Sequence, residues 1–472
     1  MPELFYSSVE EIHKLYKSKK LSVRKLVMAY LSRIAVIDSG TKGLKSVLEL
    51  NPDALFIADV MDAKLQKGEE LTPLFGIPVL VKDNINTADR LRTSAGSIAL
   101  ADNYAPCDAH IIKNLRKAGA LILGKAGMTE FANYMTQNMP SGYSSRGGQV
   151  INPFNRKITP SGSSSGSAVA TAAGLCTLSI GTETCGSIIS PASYNGIVGI
   201  KPTLGLVGRS GIVPISSTLD TAGPMTRTVR DAAILLNVIA GYDPDDPATH
   251  ANNPGQAGSA NYTKYLVPDG LKGLKIGINR SLTQNVETLR KEEETAFNNE
   301  CKLAVAAGAV LVDNVKIPSA SAINKIMRYE FKACMNYYLS CLHGSAIKSL
   351  EDIIEYNQSH AALALKYGQT ILLDCQNNTS GTMTEPEYLN ALAEREKAIA
   401  DLDKLFDENS IDILLCDAFS SIAPFTGFPS MTIPIGYRKN KVPIGSYWVA
   451  RRFDEGTLIK ATFAMEGLLG LS

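Results

Sequence analysis

The chemistry available to this chain concentrates in two serine-bearing turns and one lysine. The segment Gly181-Thr182-Glu183-Thr184-Cys185-Gly186-Ser187 follows the apolar run Leu175 to Ile180, so a strand is expected to deliver a glycine-bearing turn with Ser187 at its end. Main-chain N–H groups of such a turn can converge on a developing oxyanion, each contact often worth about 3 kcal/mol. A serine beside them can attack the carbonyl carbon they hold, provided a base takes its proton. Histidine is scarce in this part of the chain, but a lysine serves if burial lowers its pKa enough to populate the neutral amine. Lys82 ends the apolar run Ile77-Pro78-Val79-Leu80-Val81, at the C-terminal end of an expected strand, where α/β active sites gather. Taken alone, a lysine there reads more often as a surface or salt-bridging residue.

The second turn is Pro160-Ser161-Gly162-Ser163-Ser164-Ser165-Gly166-Ser167. A Ser/Gly run is often a flexible linker, yet this one is too short to join domains and flows into a helical stretch. A phosphate loop fits poorly, because the terminal Lys-Ser/Thr pair is missing. Gly162-x-Ser164-x-Gly166 has the spacing of a nucleophile elbow, which needs a strand immediately before it. Asn155 to Pro160 makes a poor strand, and the base would have to be His250, His343 or His360, none in a recognisable setting.

The elements that must position these groups alternate. Val9, Ile12 and Tyr16, then Val23, Leu26, Tyr30 and Ile34, repeat at helical spacing, with Ser8–Glu11 a capping box and Ser22 a second N-cap. Strands are expected at 77–81, 120–124, 175–180, 274–278, 310–317 and 411–415, and helices at 110–119, 168–173, 292–307 and 388–406. Gly174 closes the helix that precedes the serine strand. Residues 241–262, rich in Asp, Pro, Asn and Gly, read as an exposed loop. This alternation predicts an α/β fold with a largely parallel or mixed sheet.

Composition narrows the function classes. The 472 residues are 45% hydrophobic and 20% charged with net charge +1, which is globular and carries no basic stripe for nucleic acid. No apolar run is long enough for a membrane span, and the first residues do not resemble a secretory leader. Eight cysteines without a C-x-x-C pair read as reduced thiols in a cytoplasmic protein.

Taken together, the motifs resemble the amidase signature family, over nearly the whole chain and most strongly from Gly76 to Ala233. Gly76 to Asn84 is similar to the family's lysine motif, Ser161 to Ser167 to its serine-glycine motif, and Gly181 to Ile188 to its nucleophile loop. Gly196-Ile197-Val198-Gly199-Ile200-Lys201-Pro202-Thr203 and Asp220 to Met225 follow in family order, as do Gly427 to Ser430, Pro443 to Gly445 and Asp454-Glu455. Ser144 to Gln149 and Gly181 to Thr184 are most similar to peptide-amidase-type bacterial members. The resemblance implies one α/β/α domain spanning 1–472, a large mixed sheet covered by helices. Within it come a helical N-terminal region at 1–70, a catalytic core at 71–235 and a variable, pocket-shaping region at 320–390.

It further implies a Ser–cis-Ser–Lys triad of Ser187 as nucleophile, Ser163 as bridge after a cis peptide bond, and Lys82 as base. The twenty-four residues from Ser163 to Ser187 match the family spacing. Thr184, Cys185, Gly186 and Ser187 match the oxyanion hole, and no metal or organic cofactor is implied. The expected activity is hydrolysis of a small-molecule or peptide carboxamide through an acyl-enzyme. The alternatives are an amidotransferase subunit that generates ammonia from glutamine, a carbamate or ester hydrolase, or a non-catalytic binding protein on this fold. Ser161 and Ser165 stand where many members have glycine. Cys185 stands where Gly or Asp is usual, either as a small residue fitting the turn or as a thiol facing substrate. Residues 129–149 are expected to help shape the pocket, with Met128, Tyr134, Met135 and Met139 candidates for an apolar lining or for core.

Overall fold

In the computed structural model, residues 2–252, 261–280 and 290–470 are described. Eleven strands among them form one mixed sheet. From one edge to the other these are Val47–Leu50, Leu121–Ala126, Pro78–Lys82, Leu178–Glu183, Thr221–Thr226, Val198–Lys201, Ser430–Thr432, Tyr447–Ala450, Ile413–Cys416, Lys275–Asn279 and Val310–Val312. The strand ending in Lys82 lies parallel to both neighbours, one of them Leu178–Glu183. Lys82 and Glu183 therefore emerge at the same end of adjacent strands, as an α/β active site requires.

Alternation along single strands shows how the sheet is covered. In Ile413–Cys416 the side chains of Ile413 and Leu415 join one hydrophobic cluster, and those of Leu414 and Cys416 join another. Trp448 and Ala450 divide from Tyr447 and Val449 in the same way. Successive strand side chains point to opposite faces, so the sheet is buried on both sides. The first cluster takes in helices Val9–Lys17, Val23–Ile37, Val229–Ile239 and Glu455–Leu469, and the second helices Ile323–Ser340, Leu350–Ser359 and Pro386–Glu408. Ser8 with Glu11 forms the expected capping box, and Ser22 accepts from the Lys25 N–H. No helix among the described residues is long and apolar enough to cross a membrane.

Four expectations change. The N-terminal region is not purely helical, since Val47–Leu50 supplies an edge strand of the sheet. The serine strand begins at Leu178 rather than Leu175, because Gly174 (φ +65°) ends the preceding helix in a turn that runs to Thr177. The strand expected over 310–317 stops at Val312, with Asn314 at φ +62° turning the chain away. The 241–262 segment is not wholly exposed: Pro247–Asn252 is a helix, and Asp243, Asp246 and Thr249 are buried. Asp246 accepts from the Arg209 guanidinium at 2.7 and 2.8 Å, and Asp243 from the Ser210 hydroxyl at 2.6 Å. The carboxylates that suggest a solvated loop instead clasp the neighbouring chain. Residues 253–260 of that segment lie outside the described residues.

Candidate active site

Lys82 is fully buried at the end of its strand. Its Nζ lies 2.8 Å from Ser163 Oγ, 3.0 Å from the Thr182 carbonyl oxygen and 2.9 Å from Thr182 Oγ1. Asn84 Nδ2 also donates to Thr182 Oγ1, at 3.0 Å. Burial is the main cause that pulls the Lys82 pKa from 10.5 down to about 7, against the opposing pull of the Asp220 and Glu183 carboxylates. A neutral amine keeps two N–H donors and gains a lone pair. With the two donors turned to Thr182, the lone pair faces the Ser163 hydroxyl, which is the geometry of a base.

Ser163 follows a cis Gly162–Ser163 peptide bond. Its carbonyl accepts the Thr129 N–H at 3.0 Å. A Cβ on Gly162 would stand 2.5 Å from Thr129 Oγ1, so only glycine fits between those segments. Ser164 begins the helix Ser165–Ala172. Its hydroxyl donates to the Thr182 carbonyl at 3.1 Å, and its main-chain N–H donates to the carbonyl of Ser187 at 3.2 Å. The two serine turns are thus tied together through Ser164. The elbow reading of Ser164 is set aside, since no strand precedes it and its hydroxyl is spent on Thr182. Of its candidate bases, His250 contacts the Pro244 carbonyl and His360 stacks on Tyr356.

Ser187 sits in the loop between Glu183 and the helix Ile189–Tyr194, 6% exposed. Glu183 Oε2 accepts the N–H groups of Ile188 and Ile189 at 2.7 and 3.0 Å, closing the loop across its base. None of the four N–H groups from Thr184 to Ser187 pairs with a described residue. Gly186 has φ +78°, and a Cβ there would come within 2.9 Å of the Phe419 ring. The left-handed backbone and the close ring both require glycine. Thr184 Oγ1 donates to Asp220 Oδ1 at 2.5 Å, and Asp220 Oδ2 accepts from the Ile215 and Ser216 N–H groups at 2.8 and 2.9 Å. Burial pushes the Asp220 pKa up against these bonds.

Cys185 points its Sγ at Ser421 Oγ, 3.4 Å away, and burial pushes its thiol up to about 11. The nucleophilic form of cysteine is the thiolate, so this environment holds Cys185 inert near neutrality.

A cavity of about 410 Å³ opens beside Thr182, Glu183 and Thr184. Ile212 to Ser217 form another side, and Cys334, Tyr337 and Tyr338 of the helix Ile323–Ser340 face them. Tyr338 is fixed by its hydroxyl, which donates to Asn86 Oδ1 at 2.8 Å. Met128, Met135 and Met139 do not line this cavity but lie in the second hydrophobic cluster. Tyr134 packs edge-on to Phe331 at 5.0 Å. The three methionines are core, and half-buried Tyr134 packs against it. Thr182, Asn84 and Asp220 stand inside the quoted motifs, but the sequence assigns them no role, because a threonine, asparagine or aspartate near a strand end has many ordinary uses.

The Amidase family model matches residues 25–425. A probable amidase of Arabidopsis thaliana is 38% identical over 478 residues, covering 98% of this chain and 89% of the relative. A glutamyl-tRNA(Gln) amidotransferase subunit from Alkaliphilus metalliredigens is 34% identical over 495 residues, covering 98% of this chain and 96% of the relative. The native peptide amidase of Stenotrophomonas maltophilia superposes with a TM-score of 0.91 at 39% identity, covering 98% of this chain and 96% of that one.

Proposed function

This chain belongs to the amidase signature family of hydrolases acting on C–N bonds, and we propose that it cleaves peptidic primary carboxamides through Ser187, Ser163 and Lys82. The observation that carries this reading is the 2.8 Å contact between Ser163 Oγ and a fully buried Lys82 whose pKa is brought to about 7. The Ser187 hydroxyl attacks the amide carbon while its proton passes through Ser163 to neutral Lys82. The N–H groups of Thr184 to Ser187 receive the developing oxyanion. On collapse, the C–N bond breaks and the relay returns the proton to nitrogen, releasing ammonia and leaving an ester on Ser187. Water then hydrolyses that ester by the same proton route.

The substrate class rests on the likeness to a peptide amidase and on the neighbouring cavity, which is lined by Thr182, Glu183 and Thr184 but not by Lys82, Ser163 or Ser187. A volume of about 410 Å³ lies within the ordinary range for small-molecule sites, roughly 300–1,000 Å³. Tyr337 and Leu342 offer apolar surface, while Arg209 and Asp246 offer charge at the same cavity. The eight free thiols support a reducing, cytoplasmic setting. A second reading, as the ammonia-generating component of an amidotransferase, is favoured by the likeness to the Alkaliphilus protein over most of the chain. Ammonia release from a panel of peptide amides, glutamine, esters and carbamates separates the readings. Turnover of peptide amides by the lone chain supports the first. Glutaminase activity that needs an added partner protein would replace it with the second.

A further inference from the structure

The 320–390 region holds no residue of the triad, yet one of its buried side chains reaches toward the nucleophile loop. Glu330 lies in the helix Ile323–Ser340 and is fully buried. A carboxylate out of water needs its acceptor sites filled, and here four donors fill them. Glu330 Oε2 accepts the Ser216 hydroxyl and, at 3.0 Å, the Thr218 N–H. Its Oε1 accepts the Thr218 hydroxyl and, at 2.7 Å, the Tyr388 hydroxyl from the helix Pro386–Glu408. Three of those donors come from one short segment, Ser216 to Thr218, whose first two residues line the cavity.

Ser216 joins this clasp to the catalytic loop. Its hydroxyl goes to Glu330, while its N–H goes to Asp220 Oδ2 at 2.9 Å. The other oxygen of Asp220 accepts the Thr184 hydroxyl. An unbroken series of hydrogen bonds thus runs from Glu330 through Ser216 and Asp220 to Thr184, the first residue of the turn whose N–H groups face the oxyanion. Resting on that reading of the turn, we infer that Glu330 is a positioning residue: it fixes Ser216, and through Asp220 it fixes where Thr184 presents its N–H. A displaced donor costs mainly in kcat, because the oxyanion forms only on the way to the transition state. Arg209 also holds the segment, donating to the Ser217 carbonyl at 2.6 Å and to the Asp220 carbonyl at 3.3 Å. Loss of Glu330 therefore loosens Thr184 rather than freeing it.

The test is a double-mutant cycle in kcat, with KM measured alongside, for ammonia release from one peptide amide by the full-length enzyme. Glu330→Leu removes every acceptor, and kcat should fall about tenfold with KM changed less than about twofold. Glu330→Gln keeps a carbonyl oxygen for Ser216 and Thr218, and its NH2 can donate to the hydroxyls of Thr218 and Tyr388, so kcat should stay within about threefold of wild type. Thr184→Val keeps the N–H but cuts the bond to Asp220, and should itself lower kcat about tenfold. In that background Glu330→Leu should cost less than about twofold more. A role confined to holding the fold would lower the thermal midpoint and leave kcat of the folded protein alone. An unchanged kcat in folded Glu330→Leu, or losses that multiply in the double variant, overturns the inference. If Glu330→Leu does not fold, Ser216→Ala decides, since it cuts the bond to Glu330 and keeps the N–H to Asp220. Its loss in kcat should vanish beside Thr184→Val, and a loss that persists there refutes the coupling. Wild-type protein with no amide turnover at all would instead refute the proposed function, so the two failures are distinguishable.

Discussion

Lowering the pH should switch this enzyme off through one buried amine. In the proposed relay Lys82 must be neutral to accept the proton from Ser187, and burial brings its pKa to about 7. The neutral fraction is then about one half at pH 7, one tenth at pH 6 and one hundredth at pH 5. A lysine left at its ordinary value near 10.5 would be neutral only about once in 3,000 at pH 7, so desolvation supplies roughly a thousandfold more working base. For an uncharged peptide amide, kcat/KM should therefore fall about tenfold per pH unit below 7 and level off above about 8. Initial rates of ammonia release from pH 5 to 10, at substrate well below KM, measure this directly. A rate that keeps rising through pH 10 would mean Lys82 is not desolvated as its surroundings imply. A rate unchanged down to pH 5 would mean that no lysine serves as base.

The same desolvation makes Lys82 a stability liability. Its folded pKa lies below its unfolded one, so the unfolded chain takes up a proton from about pH 10.5 downward while the folded chain resists until about 7. Stability is lost across that window as the pH falls, by an upper estimate of about 4 kcal/mol. Lys82→Met removes this penalty and sacrifices hydrogen bonds to Thr182 and Ser163 worth about 1 kcal/mol each. It should abolish turnover yet raise the thermal midpoint at pH 7, with the gain shrinking as the pH rises and turning into a loss near pH 10, where only the missing hydrogen bonds remain. A midpoint lowered equally at all pH values would refute the sign. Cys185→Ser should keep turnover within about threefold of wild type, because burial pushes the thiol up to about 11 and its polar contact is with Ser421; loss of all activity would reopen the thiol as a participant. Gly186→Ala should lower kcat by about 100-fold with a smaller change in KM, by displacing an oxyanion donor against the Phe419 ring. Steady-state kinetics showing the loss in KM alone would place the damage in binding.

Much of the sheet was legible because its strands are short apolar runs bounded by Gly, Pro or Asn. Pro78–Lys82, Lys275–Asn279 and Ile413–Cys416 fall within a residue or two of expectation. The resemblance paired Lys82 with Ser163, and the cis peptide expected before Ser163 is present. Illegible were features that depend on which distant atoms converge. Nothing in the local sequence marks Thr182 as the residue that takes both donors of Lys82. Neither Lys125 nor Lys201 carries a role legible in the sequence, yet both are buried, Lys125 donating to Thr93 Oγ1 and the Ile85 carbonyl and Lys201 to the Pro202 carbonyl. For Met128, Met135 and Met139 the sequence left cleft lining and core both open, because a flexible apolar side chain fills core as readily as it lines a cleft, and the fold places them in core.

The central claim is that Ser187 carries the acyl group, and a fluorophosphonate probe followed by peptide mass spectrometry tests it most directly. One adduct should form, on the peptide containing Ser187, and Ser187→Ala should lose both the adduct and ammonia release. An adduct on Cys185 or Ser164, or a Ser187→Ala protein that still turns over amide, would contradict the account.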